Sequence, residues 1–168
     1  MEKKKILSAI IFVATIAVIA AVTLCIVLEQ QKIKNALYEP TDIKNVVVTL
    51  QRSGCFGICP VYNLTIYGNG TVIYEGTKNV DISGIQISNI SENKVRQLLS
   101  EFKNIDYFSL NETEIASHIV VDVPIFTSSL TVNGKTKTIQ HCETTEPEEL
   151  TELEDTIDEI VNSSQWIE

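Results

Sequence analysis

From Ile6 to Leu28 the chain runs for 23 residues without a charge, and only Ser8, Thr15, Thr23 and Cys25 interrupt its aliphatic and aromatic side chains. In a helix rising about 1.5 Å per residue this run spans roughly 34 Å, enough to cross a hydrocarbon core about 30 Å thick. Lys3, Lys4 and Lys5 precede it, whereas the first basic residues beyond it, Lys32 and Lys34, come after Glu29. The lysine bias predicts a cytoplasmic N-terminus over residues 1–5 and a single-pass anchor over 6–28 lodged in the lipid bilayer of the cell membrane. Everything beyond it is then extracytoplasmic. A cleaved signal peptide is the competing reading, with Val18-Ile19-Ala20 as its small-residue site. The apolar run continues past that site, however, and a signal core is usually about 7 to 15 residues long. Cys25 would suit lipidation only after a small residue; Leu24 stands there, so a thiol within the helix is preferred.

Residues 29–43 read as a polar stalk ending in Glu39-Pro40-Thr41, its first part able to continue the helix. Residues 44–162 then form one domain, and 163–168 a tail. From residue 39 onward 8 Lys and Arg face 20 Asp and Glu, a balance of −12. This argues against nucleic acid as a partner, since that binding rests on clustered cations that neutralise phosphates. The acid is concentrated in one place: Glu143 to Glu168 holds 10 carboxylates and no base. Its run Glu149, Glu152, Asp155 and Glu159 is better read as a solvated helix face than as a site for divalent cations.

β-Branched residues make Asn45–Arg52 a strand, followed by a loop from Ser53 to Pro60 rich in Gly, Cys and Pro. Val61–Tyr67 and Thr71–Glu75 are joined through Asn69-Gly70, the strongest short-range hairpin signal. A two-residue turn there puts Leu64, Ile66 and Ile73 on one face and Thr65, Tyr67, Val72 and Tyr74 on the other. Another strand is expected over Val80–Ile87. The period then changes. After Ser91, a good N-cap, Val95, Leu98, Leu99 and Phe102 recur at helical spacing. An irregular stretch from Ile105 to Val123 contains Tyr107, Phe108, His118 and a strand-like Ile119-Val120-Val121. Ile125–Val132 and Lys135–Cys142 form a second hairpin around Asn133-Gly134, pairing Phe126 with His141. Thr145 with Glu148 makes a capping box, and Leu150, Leu153, Ile157, Ile160 and Val161 continue as a helix. The fold class is α+β: a mainly antiparallel sheet of hairpins with two packed helices, preceded by one transmembrane helix.

Cys55 and Cys59 are the most suggestive chemical pair. A structural disulfide is the leading reading, because Gly54 and Gly57 let the loop turn and an exported domain meets an oxidising environment. Packing thiols and a redox or metal centre remain as alternatives, and Cys142 is a rival partner for either cysteine. Three residues, not two, separate the pair, and Pro60 leads into a strand rather than a helix that would lower a thiol pKa. Zinc is disfavoured because adjacent strand residues His141 and Cys142 point to opposite faces. His141 reads as a satisfied histidine at the core's edge. Phosphate loops, nucleophile elbows and two-histidine metal helices are missing from the sequence, and Glu112 and Glu114 read as loop solvation. No catalytic residue, cofactor or metal is assigned.

Asn-x-Ser/Thr occurs at Asn63, Asn69, Asn89, Asn111 and Asn162, where composition alone gives about two, which points to a glycosylated exterior in a cell with the transfer machinery. Incidental sequons on a Thr-rich surface are the competing reading. Tyr67 and Tyr74 are candidates for an exposed aromatic binding platform, with structural packing the simpler alternative.

From about Lys44 to Val161 the chain resembles domain of unknown function 6438. The likeness rests on Cys55-Phe56-Gly57-Ile58-Cys59-Pro60-Val61-Tyr62, on Thr65-Ile66-Tyr67-Gly68-Asn69-Gly70-Thr71-Val72 and on Tyr74-Glu75-Gly76. Asp122-Val123-Pro124, Pro147-Glu148-Glu149-Leu150 and Leu153-Glu154 also fit. Asn69 departs from the family's common Asp, and Cys142 has no family counterpart. The resemblance implies a domain behind a signal or anchor segment and supplies no activity. The expected function is a membrane-tethered, non-catalytic extracytoplasmic module that binds a protein or glycan or supports the envelope. The alternative is a thiol-disulfide or metal-dependent enzyme built on Cys55 and Cys59.

Overall fold

The computed structural model describes residues 2–112, 123–142 and 147–167. The chain divides into two compact units, Met1–Leu37 and Tyr38–Glu168. The first is made by α1 (Glu2–Tyr38), whose stretch from Ile11 is long and apolar enough to cross a membrane. None of that stretch's apolar window is buried. The hydroxyls of Thr15 and Thr23 donate to the Phe12 and Ala20 carbonyls at 2.8 and 2.9 Å. These two hydroxyls are thereby satisfied within the helix, as a lipid environment would demand.

The second unit is built on six antiparallel strands: β1 (Val47–Arg52), β2 (Val61–Tyr67), β3 (Thr71–Lys78), β4 (Gly84–Asn89), β5 (Ile125–Val132) and β6 (Lys135–Cys142). Their order across the sheet is β4-β3-β2-β1-β5-β6. Alternation sends Val48, Leu50, Leu64, Ile66, Val72, Tyr74, Leu130 and Ile139 into the core. They meet α2 (Glu92–Asn104) and α3 (Glu148–Val161), whose buried stripes are Val95, Leu98, Leu99, Phe102 and Leu150, Leu153, Ile157, Ile160, Val161. The α+β architecture with its antiparallel hairpins is as the sequence pattern predicts. Ser91 caps α2 by accepting the Lys94 N–H at 3.3 Å. Tyr107 fills the core under α2, edge-on to Phe102, and donates its hydroxyl to the Ser128 carbonyl at 2.8 Å.

The structure corrects four boundaries and registers. Helix α1 runs through most of the expected stalk, and the domain begins at Tyr38 rather than Lys44. Tyr38 is buried, its hydroxyl accepts the Phe108 N–H at 2.9 Å, and the Asn133 amide holds Glu39 and Thr41. One buried aromatic inside a polar segment was enough to shift the start. The expected tail instead contains α4 (Ser164–Ile167), because Trp166 stacks on Tyr74 at 4.8 Å and its carbonyl accepts the Ile82 N–H. That bond holds the chain before Gly84 away from the sheet, so β4 covers Gly84–Asn89 rather than Val80–Ile87.

The fourth correction is the first hairpin. Ile66 pairs with Val72 and Leu64 with Tyr74, so the turn contains three residues rather than two. A one-residue change exchanges the faces of a strand. Val72 and Tyr74 therefore join Leu64 and Ile66 in the core, and Ile73 lies outward with Thr65 and Tyr67. The second hairpin keeps its expected register, Phe126 opposite His141 and Val132 opposite Lys135. Helix α3 has Pro147 at its N-cap. Thr145 of the expected capping box, His118, Glu114, Asp122 and Ile119-Val120-Val121 lie outside the described residues.

Candidate functional site

At the end of the sheet nearest the Ser53–Pro60 loop, the inward positions depart from the aliphatic pattern. Register places Gly76, Tyr62, Arg52, Phe126 and His141 side by side across β3, β2, β1, β5 and β6. Helix α3 answers this row with carboxylates one turn apart. Glu154 Oε2 lies 2.9 Å from His141 Nε2 with both side chains fully buried. Asp158 Oδ2 accepts from Arg52 Nε at 2.9 Å and from the Tyr62 hydroxyl at 2.8 Å, while its Oδ1 accepts from Ser163 at 2.6 Å. Arg52 Nη2 also reaches Asp155 at 2.7 Å, and the guanidinium lies over the Phe126 ring, 4.2 Å from its centroid.

The electrostatics follow from this packing. Burial pulls the Arg52 pKa down, but Asp158, Tyr62 and Asp155 outweigh it and hold the guanidinium above its ordinary range. Tyr62 is pushed above the usual phenol range, first by burial and then by Asp158. One cation thus faces two carboxylates, and Tyr62 stays a neutral donor. His141 Nδ1 and Glu154 Oε1 have no hydrogen-bond partner among the described residues. Their full burial keeps that pair inside the core rather than open to a ligand.

In front of Arg52, Tyr62 and Phe126 opens a cavity of about 370 Å³, walled on one side by Ser53, Cys59 and Pro60 and on another by Ser163, Ser164 and Ile167. The first of these walls belongs to the cysteine loop. Cys55 and Cys59 are joined by a disulfide with Cα atoms 5.7 Å apart, and Cys142, buried on β6, has no part in it. Asn79 donates to the Cys59 carbonyl at 3.0 Å, fixing the loop's second leg to the end of β3. The three residues inside the ring stay outside the fold, with Phe56 and Ile58 at 91% and 88% exposure. Both side chains are large and apolar, and neither packs against the body of the domain.

The other expected site residues scatter. Tyr74 is fully buried between Trp166 and Tyr62, so the proposed platform with Tyr67 does not form; Tyr67 is half-buried on the opposite face. Of the sequons, Asn69, Asn89, Asn111 and Asn162 are exposed and Asn63 is half-buried on the sheet's open face. Among the described residues no three His, Cys, Asp or Glu side chains gather as a metal site. Reading of the sequence missed the Arg52–Asp158–Tyr62 knot and the Phe56/Ile58 tip. It did not single out Glu154 either, although that residue falls within the apolar stripe that Leu150, Leu153, Ile157 and Val161 define, the signal that could have found it.

Compared with known proteins, residues 46–161 match the family described as Domain of unknown function (DUF6438). No curated protein matches the chain.

Proposed function

We propose that this chain, which belongs to the DUF6438 family, is a membrane-tethered extracytoplasmic module that binds a protein or glycan through its disulfide-closed loop and performs no catalysis itself. The observation that carries this reading is the exposure of Phe56 and Ile58 on a loop whose Cys59 and Pro60 wall the cavity. A short covalent ring limits the conformations those side chains lose on contact, which favours binding over a free loop. The apolar stretch of α1 supports the tether, and a disulfide supports an oxidising, extracytoplasmic setting. The surface positions of most sequons fit a glycosylated exterior.

Partial exposure of both loop cysteines favours one rival, a thiol-disulfide enzyme. Against it, Pro60 leads Cys59 into β2 rather than into a helix that would stabilise a thiolate. The test uses full-length protein in membranes. Added protease should cleave the domain from outside while leaving a membrane-bound N-terminal fragment. Cross-linking in intact envelopes should join the wild type to a protein or glycan that Phe56→Ser/Ile58→Ser does not capture, with thermal stability unchanged. Equal capture by the variant refutes the loop reading, and insulin reduction by the wild type establishes the enzyme instead.

A further inference from the structure

The two free edges of the sheet are chemically unlike. β6 carries Lys135 and Lys137, and Lys137 Nζ donates to the carbonyls of Phe108 and Leu110. Lysine on an edge strand discourages pairing with another chain. β4 reads Gly-Ile-Gln-Ile-Ser-Asn, without charge or proline, and its Ile85 and Ile87 are 65% and 68% exposed. Among the described residues no strand pairs with its outer side. The Ile90 N–H donates to the Gly70 carbonyl at 2.9 Å, and the β3–β4 register continues that pairing to Val72 with Ser88 and Tyr74 with Gln86. Antiparallel ladders alternate, so the even-numbered residues of β4 bond to β3. The N–H and C=O groups of Ile85, Ile87 and Asn89 then face the free edge.

We propose that β4 is a self-association edge, on which a second copy of this chain lays its own β4 antiparallel about a two-fold axis through Gln86. In this register Ile85 and Ile87 of one copy stand opposite the partner's Ile87 and Ile85. They are the residues whose backbone groups face the edge, so the ladder and the apolar contact form together. Gln86 meets its own counterpart on the other face, where two primary amides exchange hydrogen bonds. The seam brings no like charges together although the domain as a whole is acidic. Self-complementarity of this kind is what an isologous interface requires.

Size makes the contact depend on the membrane tether. A six-residue strand is about 20 Å long in a layer about 10 Å deep, so edge pairing buries several hundred Å², below the roughly 1,200 Å² of a stable free interface. Confinement by an anchor raises the effective concentration and makes up that deficit. The strength of the pairing therefore rests on the tethered reading above, whereas its register does not.

The test is cysteine cross-linking of full-length protein in phosphatidylcholine vesicles, in a Cys25→Ala background, with copper-phenanthroline as oxidant. Across the two-fold, opposed Gln86 positions form a non-hydrogen-bonded pair with Cα atoms about 4.5 Å apart, within disulfide reach. Gln86→Cys should give a covalent dimer, and Ser88→Cys at least fivefold less. Adding Ile87→Lys to Gln86→Cys should cut the dimer by a similar factor while the melting curve stays that of the parent. Flotation with the vesicles reads anchoring separately. Floated, folded protein that fails to link at Gln86, links equally at Ser88, or links despite Ile87→Lys overturns the proposal.

Discussion

Arg52 closes a strand whose earlier inward positions, Val48 and Leu50, are fully buried, so the core ends on a cation. Its two carboxylate partners differ in what they contribute. Asp158 is 16% exposed and Asp155 62%, and solvent screens the second pair far more than the first. Arg52→Met should therefore destabilise by about 2–3 kcal/mol, since it leaves Asp158 with only hydroxyl donors in a largely dry site. Asp155→Asn should cost less than about 0.5 kcal/mol. Denaturant unfolding of the detergent-solubilised chain separates the two; equal effects would show that the knot is held from outside the cavity. This site was only partly legible in the sequence. The loop cysteines announced themselves by spacing and glycines, but Arg52 looks like the polar end of any strand. Only sheet register reveals that Tyr62 and Phe126 flank it.

The two hairpins show why the same dipeptide does not guarantee the same turn. Asn133 and Gly134 both adopt positive φ, +51° and +73°, and close a two-residue turn between Val132 and Lys135. In the first hairpin only Gly70 does so, at +88°, and Gly68 joins the turn as a third residue. The reason is tertiary: the Gly68 N–H donates to the Val46 carbonyl at 2.8 Å, and a Cβ at Gly68 would overlap the Ile43 carbonyl. Local sequence could locate this turn but not count its residues, because the count is set by a segment some 25 positions away. The prediction is an asymmetry. Gly134→Ala meets open space and bears only backbone strain, on the order of 1 kcal/mol. Gly68→Ala must displace backbone, and its cost should exceed about 2 kcal/mol. Melting temperatures of the two variants check the order, and a milder Gly68→Ala would mean the 43–45 turn yields.

At the scale of the whole chain, the apolar helix and the α+β pattern were readable because each is repeated over many residues. The C-terminal packing was not, since it centres on one buried aromatic, Trp166, in a short and mostly polar end. Aromatic residues of this kind also set how the domain responds to alkali. Burial raises the Tyr38 phenol from 10.0 to about 12, and the neighbouring Asp106 adds to the rise while the hydrogen bond to Phe108 opposes it. Tyr62 and Tyr107 are likewise raised, burial being the largest cause for each. A phenol that holds its proton more tightly when folded contributes its full stabilisation below the unfolded value. It loses that contribution as pH climbs through the folded one. Stability should thus be insensitive to these groups below pH 10 and fall between about pH 10 and 12, where unfolded chains ionise first. The tyrosinate absorbance of Tyr38, Tyr62 and Tyr107 should appear together with loss of near-UV dichroism rather than before it, because ionisation of these buried phenols waits for unfolding. Tyr38→Phe removes one of the coupled protons and should flatten the decline over that window, at the cost of the Phe108 hydrogen bond at neutral pH. A decline equally steep in Tyr38→Phe would place alkaline sensitivity in the other tyrosines alone.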